Sequence, residues 1–294
     1  MERKDFIKLA GLGIVASAGG LGFKSFAEEA ASLKDAETKM PALFIGHGSP
    51  MNAIEDNAVT RALKKLGTEL PRPKAVLVVS AHWLTRGTHV LSAAKPKMIY
   101  DMYGFPDALY KVKYEAPGSP EFAKTVKETS AKTEIKLNDE WGFDHGNWSV
   151  MTHLFPKADI PAFQLSIDYH KSPQYHYDLA AELAKLRQKG ILVIGSGNMT
   201  HNLGDFDISS EDGKPKDWAL EFDTKMKNFL DSHDHTSIIN YEKLGKIAKL
   251  SHPEPSHFQP LLYAIGMQGK DEKLSYPHEG IVYGTMSMRC VKIG

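Results

Sequence analysis

From Met40 to the C-terminus, short apolar runs alternate with amphipathic stretches. Ala42–Ile45 and Ala75–Val79 are unbroken apolar runs, the pattern of strands buried on both faces. Ala162–Ile167 and Ile191–Ile194 read as two more strands. Between them lie helix signals. Asp56 and Asn57 can cap a helix over Ala58–Leu66, with Gly67 as its expected stop. Ser119-Pro120 opens a helix to about Ala131, and Ser172-Pro173 opens another that Gly190 closes. Asp217–Leu230 carries Trp218, Phe222, Met226 and Phe229 at helical spacing, which predicts a core-facing stripe. A helix is expected to end near Ile265, and Ile281–Tyr283 and Ser287–Ile293 read as closing strands. The alternation predicts one α/β domain over residues 40–294. Its central sheet is mostly parallel or mixed and flanked by helices.

Residues 1–30 follow a different pattern. Arg3, Lys4 and Lys8 precede the apolar, glycine-rich Leu9–Phe23 and the small-residue tail Ser25-Phe26-Ala27. This is the layout of a bacterial export signal of the twin-arginine type, with Lys4 in place of the second arginine. It predicts a periplasmic protein, with a cytoplasmic one as the alternative. The run is too short for a membrane span, so none is expected in the mature protein. Residues 31–39 read as a linker.

Composition narrows the chemistry. Lys+Arg and Asp+Glu balance at 36 each among 294 residues, so no global field draws the chain to nucleic acid or anionic lipid. The single cysteine, Cys290, excludes an internal disulfide and any cysteine-rich metal site. A transition metal would have to be bound by His, Asp and Glu. Nothing in the sequence marks an oligomeric state.

Thirteen histidines are available. His47 follows the first strand, in Gly46-His47-Gly48-Ser49-Pro50. His82 follows the strand ending near Ser80, and His201 lies a few residues beyond Ile191–Ile194. In open α/β sheets, sites form outside the carboxyl ends of the strands. Three histidines with that placement therefore predict one metal site. His145, in Trp141-Gly142-Phe143-Asp144-His145-Gly146, and His257, in a proline-stiffened loop, are further candidates. His89, His153, His170, His176, His233, His235, His252 and His278 read as surface or ordinary polar positions. Ser49 and Ser80 lie near histidines, but no nucleophile-elbow motif accompanies them. Tyr100, Tyr103, Phe105 and Trp148 are candidates for stacking on an aromatic ligand, or for the core.

Several segments, in order, resemble the class III extradiol ring-cleavage dioxygenases, specifically the 4,5-DOPA extradiol dioxygenase branch of the LigB-like superfamily. They are Gly46-His47-Gly48-Ser49-Pro50-Met51, Ser80-Ala81-His82-Trp83, Tyr103-Gly104-Phe105-Pro106, Ala116-Pro117-Gly118-Ser119-Pro120, Asp144-His145-Gly146, Gly197-Asn198 with His201-Asn202-Leu203, and His257 with Pro260-Leu261-Leu262. The resemblance implies cleavage of a DOPA-like catechol by O2 to a ring-opened semialdehyde acid. Fe(II) would be the working metal, with Zn(II) as another occupant. It implies His47, His82 and His257 as metal ligands, His201 as a fourth ligand or an acid–base group, and His145 as a catalytic group near substrate. Both catechol oxygens and O2 need three open positions. Three protein ligands on an octahedral ion leave three and four leave two, which favours His201 as the base in an iron form. Members often carry Glu directly before the last histidine, where this chain has Ser256. The superfamily's better-known iron enzymes use two histidines and one carboxylate, but no carboxylate here occupies such a third-ligand motif, and Glu254 is a poor substitute for one. A zinc-dependent hydrolase on the same histidines, or a non-catalytic binding protein, are the alternatives.

Overall fold

The computed structural model describes residues 36–207, 209 and 214–294. The export-like segment 1–30 and residues 31–35 of the linker lie outside them. The core is an eight-stranded sheet of β1 (Ala42–Gly46), β2 (Ala75–Thr85), β3 (Thr88–Leu91), β4 (Ile135–Asn138), β5 (Ala162–Asp168), β6 (Ile191–Gly197), β7 (Leu274–His278) and β8 (Cys290–Ile293). In space the order is β4-β3-β5-β2-β6-β1-β8-β7. The central four, β5-β2-β6-β1, are mutually parallel. β8 joins β1 antiparallel, and β3 meets β5 antiparallel, so the sheet is mixed as expected.

The long helices are α1 (Ala58–Glu69), α2 (Pro120–Thr129), α3 (His145–Leu154), α4 (Pro173–Leu183), α5 (Asp217–Asp231) and α6 (Gln259–Gly266). Side chains alternate along β6 and assign helices to the two faces. The Ser196 hydroxyl donates to the Gly146 carbonyl of α3, while Cβ atoms on Gly195 and Gly197 would strike the carbonyls of Pro260 and His257 at 2.1 Å each. α3 therefore covers one face of the sheet and α6 the other. Three helices start where their sequences predict, two of them with a side-chain cap. Asn57 and Thr60 form a reciprocal capping box on α1, the Ser119 hydroxyl accepts from Phe122 N, and Ser172 precedes Pro173 at the start of α4.

Four expectations change. Gly67 does not end α1, which continues to Glu69. It is where α1 packs against α3, since a Cβ there would lie 2.2 Å from the Leu154 carbonyl oxygen. β2 runs past Ser80 to Thr85 with a register break between Val79 and Leu84, so His82 lies inside the strand. Ile281–Val282 and Met286–Ser287 pair with each other as a separate two-stranded sheet, and of the two expected closing segments Cys290–Ile293 is the part that joins the main sheet. Leu274–His278, which the pattern had not marked, forms an edge strand. No described helix is long and apolar enough to cross a membrane.

Candidate metal centre

Ile45 of β1, Ser196 of β6 and Ser80 of β2 form one row across the sheet. His47 and His82 each lie two residues beyond that row. With a strand period of two, both leave the sheet on the face that Ser196 presents. His257 is brought in from the other covering layer. Asn198 N donates to the His257 carbonyl at 2.9 Å, and Gly197 leaves the space that this carbonyl occupies. The result is three histidines with ligand atoms all within 4.8 Å of one another. His47 and His257 are buried, and the His82 side chain keeps 19% of its surface.

The hydrogen bonds decide which nitrogen of each ring is free. Ser196 Oγ gives its own proton to Gly146 O, 2.5 Å away, so it accepts from His47 Nδ1 at 3.0 Å. Ser256 Oγ donates to Glu254 and accepts from His257 Nδ1 at 3.2 Å. Asp101 Oδ2 faces His82 Nδ1 at 3.4 Å, and a carboxylate there favours a proton on that nitrogen. All three rings thus keep Nδ1–H and turn an unprotonated Nε2 inward.

His47 Nε2 and His82 Nε2 are 3.2 Å apart. A proton between them is disfavoured. Burial, then the neighbouring histidines, holds His47 and His82 well below the ordinary imidazole range, although Asp101 partly offsets this at His82. His257 is lowered in the same way, by burial and then by His201. Two facing lone pairs need a cation. Ligand nitrogens about 2.0–2.1 Å from one ion are separated by roughly 2.8–3.4 Å, from octahedral to tetrahedral angles. The 3.2 Å spacing fits. Three neutral imidazoles suit a borderline divalent metal such as iron or zinc.

His201 is not in that group of three. Its ring stacks on His257, with centroids 3.7 Å apart and planes 6° from parallel. Burial, then the His145 charge, lowers its pKa to about 4. His145 is the first residue of α3 rather than a loop residue, with Asp144 as the cap. Its ring lies 3.8 Å from that of His82. Gly146 permits this approach, because a Cβ there would lie 2.4 Å from Ser80 Oγ and 3.0 Å from His82 Cδ2.

The serines have other duties. Ser80 Oγ donates to the buried Asp144 at 2.6 Å and accepts from His82 N, while Ser49 Oγ accepts from Met51 N. Glu254 is occupied by the amide and hydroxyl of Ser256, so its carboxylate reaches His257 only through that hydroxyl. Of the aromatic candidates, Trp148 is core, with its indole N–H on the Ile99 carbonyl. Tyr100 donates to Val112 O, and Tyr103 is 93% exposed. Three histidines read as ordinary polar positions, His153, His176 and His252, are in fact buried.

One residue of the site escaped the sequence reading. Asp101 accepts from His145 N at 2.9 Å and from His145 Nδ1 at 3.0 Å. Burial would raise its pKa, but the hydrogen bond and charge of His145, then His82, pull it down to about 2.

The chain is 45% identical over 264 residues to "4,5-DOPA dioxygenase extradiol" of Escherichia coli K12, covering 87% of this chain and 96% of that one. It is 38% identical over 250 residues to the protein of the same name from Beta vulgaris, covering 83% and 92%. A crystal structure of an uncharacterized protein from Escherichia coli K12 matches with a TM-score of 0.76 at 42% identity, over 87% of this chain and 100% of that one. Residues 41–291, nearly everything after the export-like segment, match the catalytic LigB subunit of aromatic ring-opening dioxygenase, and the chain belongs to that family.

Proposed function

We propose that this protein is an extradiol dioxygenase that opens the ring of a DOPA-like catechol with O2, using Fe(II) held by His47, His82 and His257. The observation that carries the reading is the inward convergence of three neutral Nε2 atoms, two of them 3.2 Å apart, where the carboxyl ends of the parallel strands β1 and β2, on either side of β6, meet the turn that carries His257. The relatives' names supply the substrate class. Bound there, iron would supply the electron exchange between catechol and O2 that zinc, without an accessible redox change, cannot.

The chain's own residues bind, orient and move protons. An ion held by His47, His82 and His257 alone would keep positions open for a chelating catechol and O2. His201, stacked on the back of His257, stays outside that set as an acid–base group. It is neutral at pH 7 and can accept a catechol proton. His145 offers a second acceptor, since Asp101 holds its Nδ1–H and leaves Nε2 free.

The test is oxygen uptake together with formation of a coloured product. Metal-stripped protein is reloaded anaerobically with Fe(II) or Zn(II) and given L-DOPA, catechol, protocatechuate or caffeate. Uptake and a yellow product with iron alone are expected. Inert catechols with iron demonstrably bound would overturn the reading in favour of zinc-dependent hydrolysis or a binding role.

A further inference from the structure

Asp101 comes from a segment 44 residues before His145 in the chain, yet it sits on that residue's ring and amide. A short backbone ladder puts it there. Lys97 pairs with Gly142 and Met98 with Phe143 in parallel register, and Ile99 N then donates to the Phe143 carbonyl at 2.8 Å. The Trp148 indole N–H, one helical turn into α3, donates to the Ile99 carbonyl at 3.0 Å. Gly142 is what allows the strands to meet, since a Cβ there would lie 2.1 Å from the Lys97 carbonyl oxygen. Two residues past Ile99, the Asp101 carboxylate arrives over the first turn of α3. There Oδ1 takes the His145 amide at 2.9 Å, and Oδ2 takes His145 Nδ1 at 3.0 Å while facing His82 Nδ1 at 3.4 Å.

We propose that Asp101 is a positioning residue that serves two histidines at once: one carboxylate oxygen holds the Nδ1–H tautomer of both His82 and His145, aiming the first ring's Nε2 at the metal and the second's at substrate. The inference rests on the metal-centre reading above and adds a residue to it. A carboxylate behind a metal-bound imidazole fixes the ring and raises its basicity. Sharing that carboxylate with His145 makes the orientation of a proton-transfer group depend on the same side chain as metal affinity. Asp101, His82 and His145 also lie close enough to hold an ion by themselves. That alternative would require His82 to lose its Nδ1 proton and bridge two metals, so metal stoichiometry separates the two arrangements.

The test uses the zinc-loaded full chain, labelled with 15N at histidine, so that ring tautomers are read by NMR without turnover. Wild-type protein is expected to bind one zinc, with His145 as the Nδ1–H tautomer and its Nε2 neither protonated nor metal-bound. D101N can offer His145 either an amide oxygen or an N–H, so it should mix in the Nε2–H tautomer and weaken zinc binding about 10- to 100-fold. D101E keeps the charge and should keep the tautomer with a several-fold loss of affinity. It carries the test if D101N does not fold. An Nε2–H tautomer of His145 in the wild type would overturn the proposal. So would unchanged tautomer and affinity in D101N, or a second equivalent of zinc that D101N removes. Neither readout involves a catechol. If these results hold while the iron form is inert to every catechol, the functional reading falls and the positioning role stands.

Discussion

Two groups of buried histidines in this molecule share residue type, burial and a lowered pKa, and differ in what their nitrogens face. Away from the site, His153 Nε2 bonds the Asn52 carbonyl at 2.6 Å, His252 Nε2 bonds the Met199 carbonyl at 2.9 Å, and His176 Nδ1 bonds the Tyr263 hydroxyl at 3.0 Å. Burial lowers all three. Each ends on a protein oxygen, and none is in a three-residue ligand group among the described residues. At the sheet edge, His47, His82 and His257 keep oxygens on Nδ1 and turn Nε2 toward one another. Burial and a depressed pKa therefore do not identify a metal histidine. Convergent lone pairs with partnered back nitrogens do.

The largest effect should come from cutting into that convergence. H47A or H82A is expected to lower bound metal, measured by plasma mass spectrometry after dialysis, to below about a tenth of wild type. Removing one of only three ligands leaves an open, weak site. H252A should cost stability and leave stoichiometry at one. Metal loss in H252A equal to that in H47A would erase the distinction between the two groups.

Second in size is His201, which stands between the groups because it is stacked on a ligand but outside the ligand set. H201A should hold iron within about threefold of wild type and lose about 10²- to 10⁴-fold in kcat, the usual range for a removed acid–base group. If H201A loses iron while H257A retains it, the two roles are exchanged.

How much of this was legible in the sequence follows the same division. His47 and His82 were legible because strands with continuous apolar runs locate the sheet's carboxyl edge; the same placement also pointed to His201, which stays outside the group of three, while His257 follows no strand and entered as a ligand only through the family resemblance. The α3 helix was missed because it is buried all round, from His145 through Met151, and so has no amphipathic period to detect. β3, β4 and β7 were missed because they are short and partly polar, with pairing supplied by distant segments. Asp101 was not legible at all. Its place depends on the ladder between Lys97–Met98 and Gly142–Phe143, and nothing in Tyr100-Asp101-Met102 marks it. The buried histidines His176 and His252 look, in sequence, like any other helix or loop histidine.

Third is G197A, which tests how His257 is seated. A Cβ at Gly197 would lie 2.1 Å from the His257 carbonyl oxygen, so the segment carrying this ligand must shift. The expected cost is about 1–3 kcal/mol of stability, as for other overpacked sites. Zinc affinity should fall about tenfold while the metal-stripped fold persists, read by denaturant titration and competition with a chelating dye. Unchanged affinity would mean that His257 does not depend on this contact.

The smallest effect on the metal site belongs to the structural group and concerns pH. His176 is lowered to about 4 by burial, with the Asp168 charge only partly opposing it. In the unfolded chain it returns to about 6.5. Below that pH the unfolded state binds a proton that the native state refuses, so stability falls as pH drops from about 6.5 toward 4. The limiting slope is about 1.4 kcal/mol per pH unit from this one group, and its contribution flattens below the native value. H176F removes the titration and leaves the Tyr263 hydroxyl without its partner, costing about 1–3 kcal/mol at pH 7. Denaturant titrations of metal-stripped protein at pH 7.5, 6.5, 5.5 and 4.5 should therefore show the variant less stable at neutral pH but less acid-sensitive, with the two curves converging as pH falls. Parallel curves would mean that His176 takes up its proton in the native state as easily as in the unfolded chain, and that the structural histidines are not held neutral by the fold.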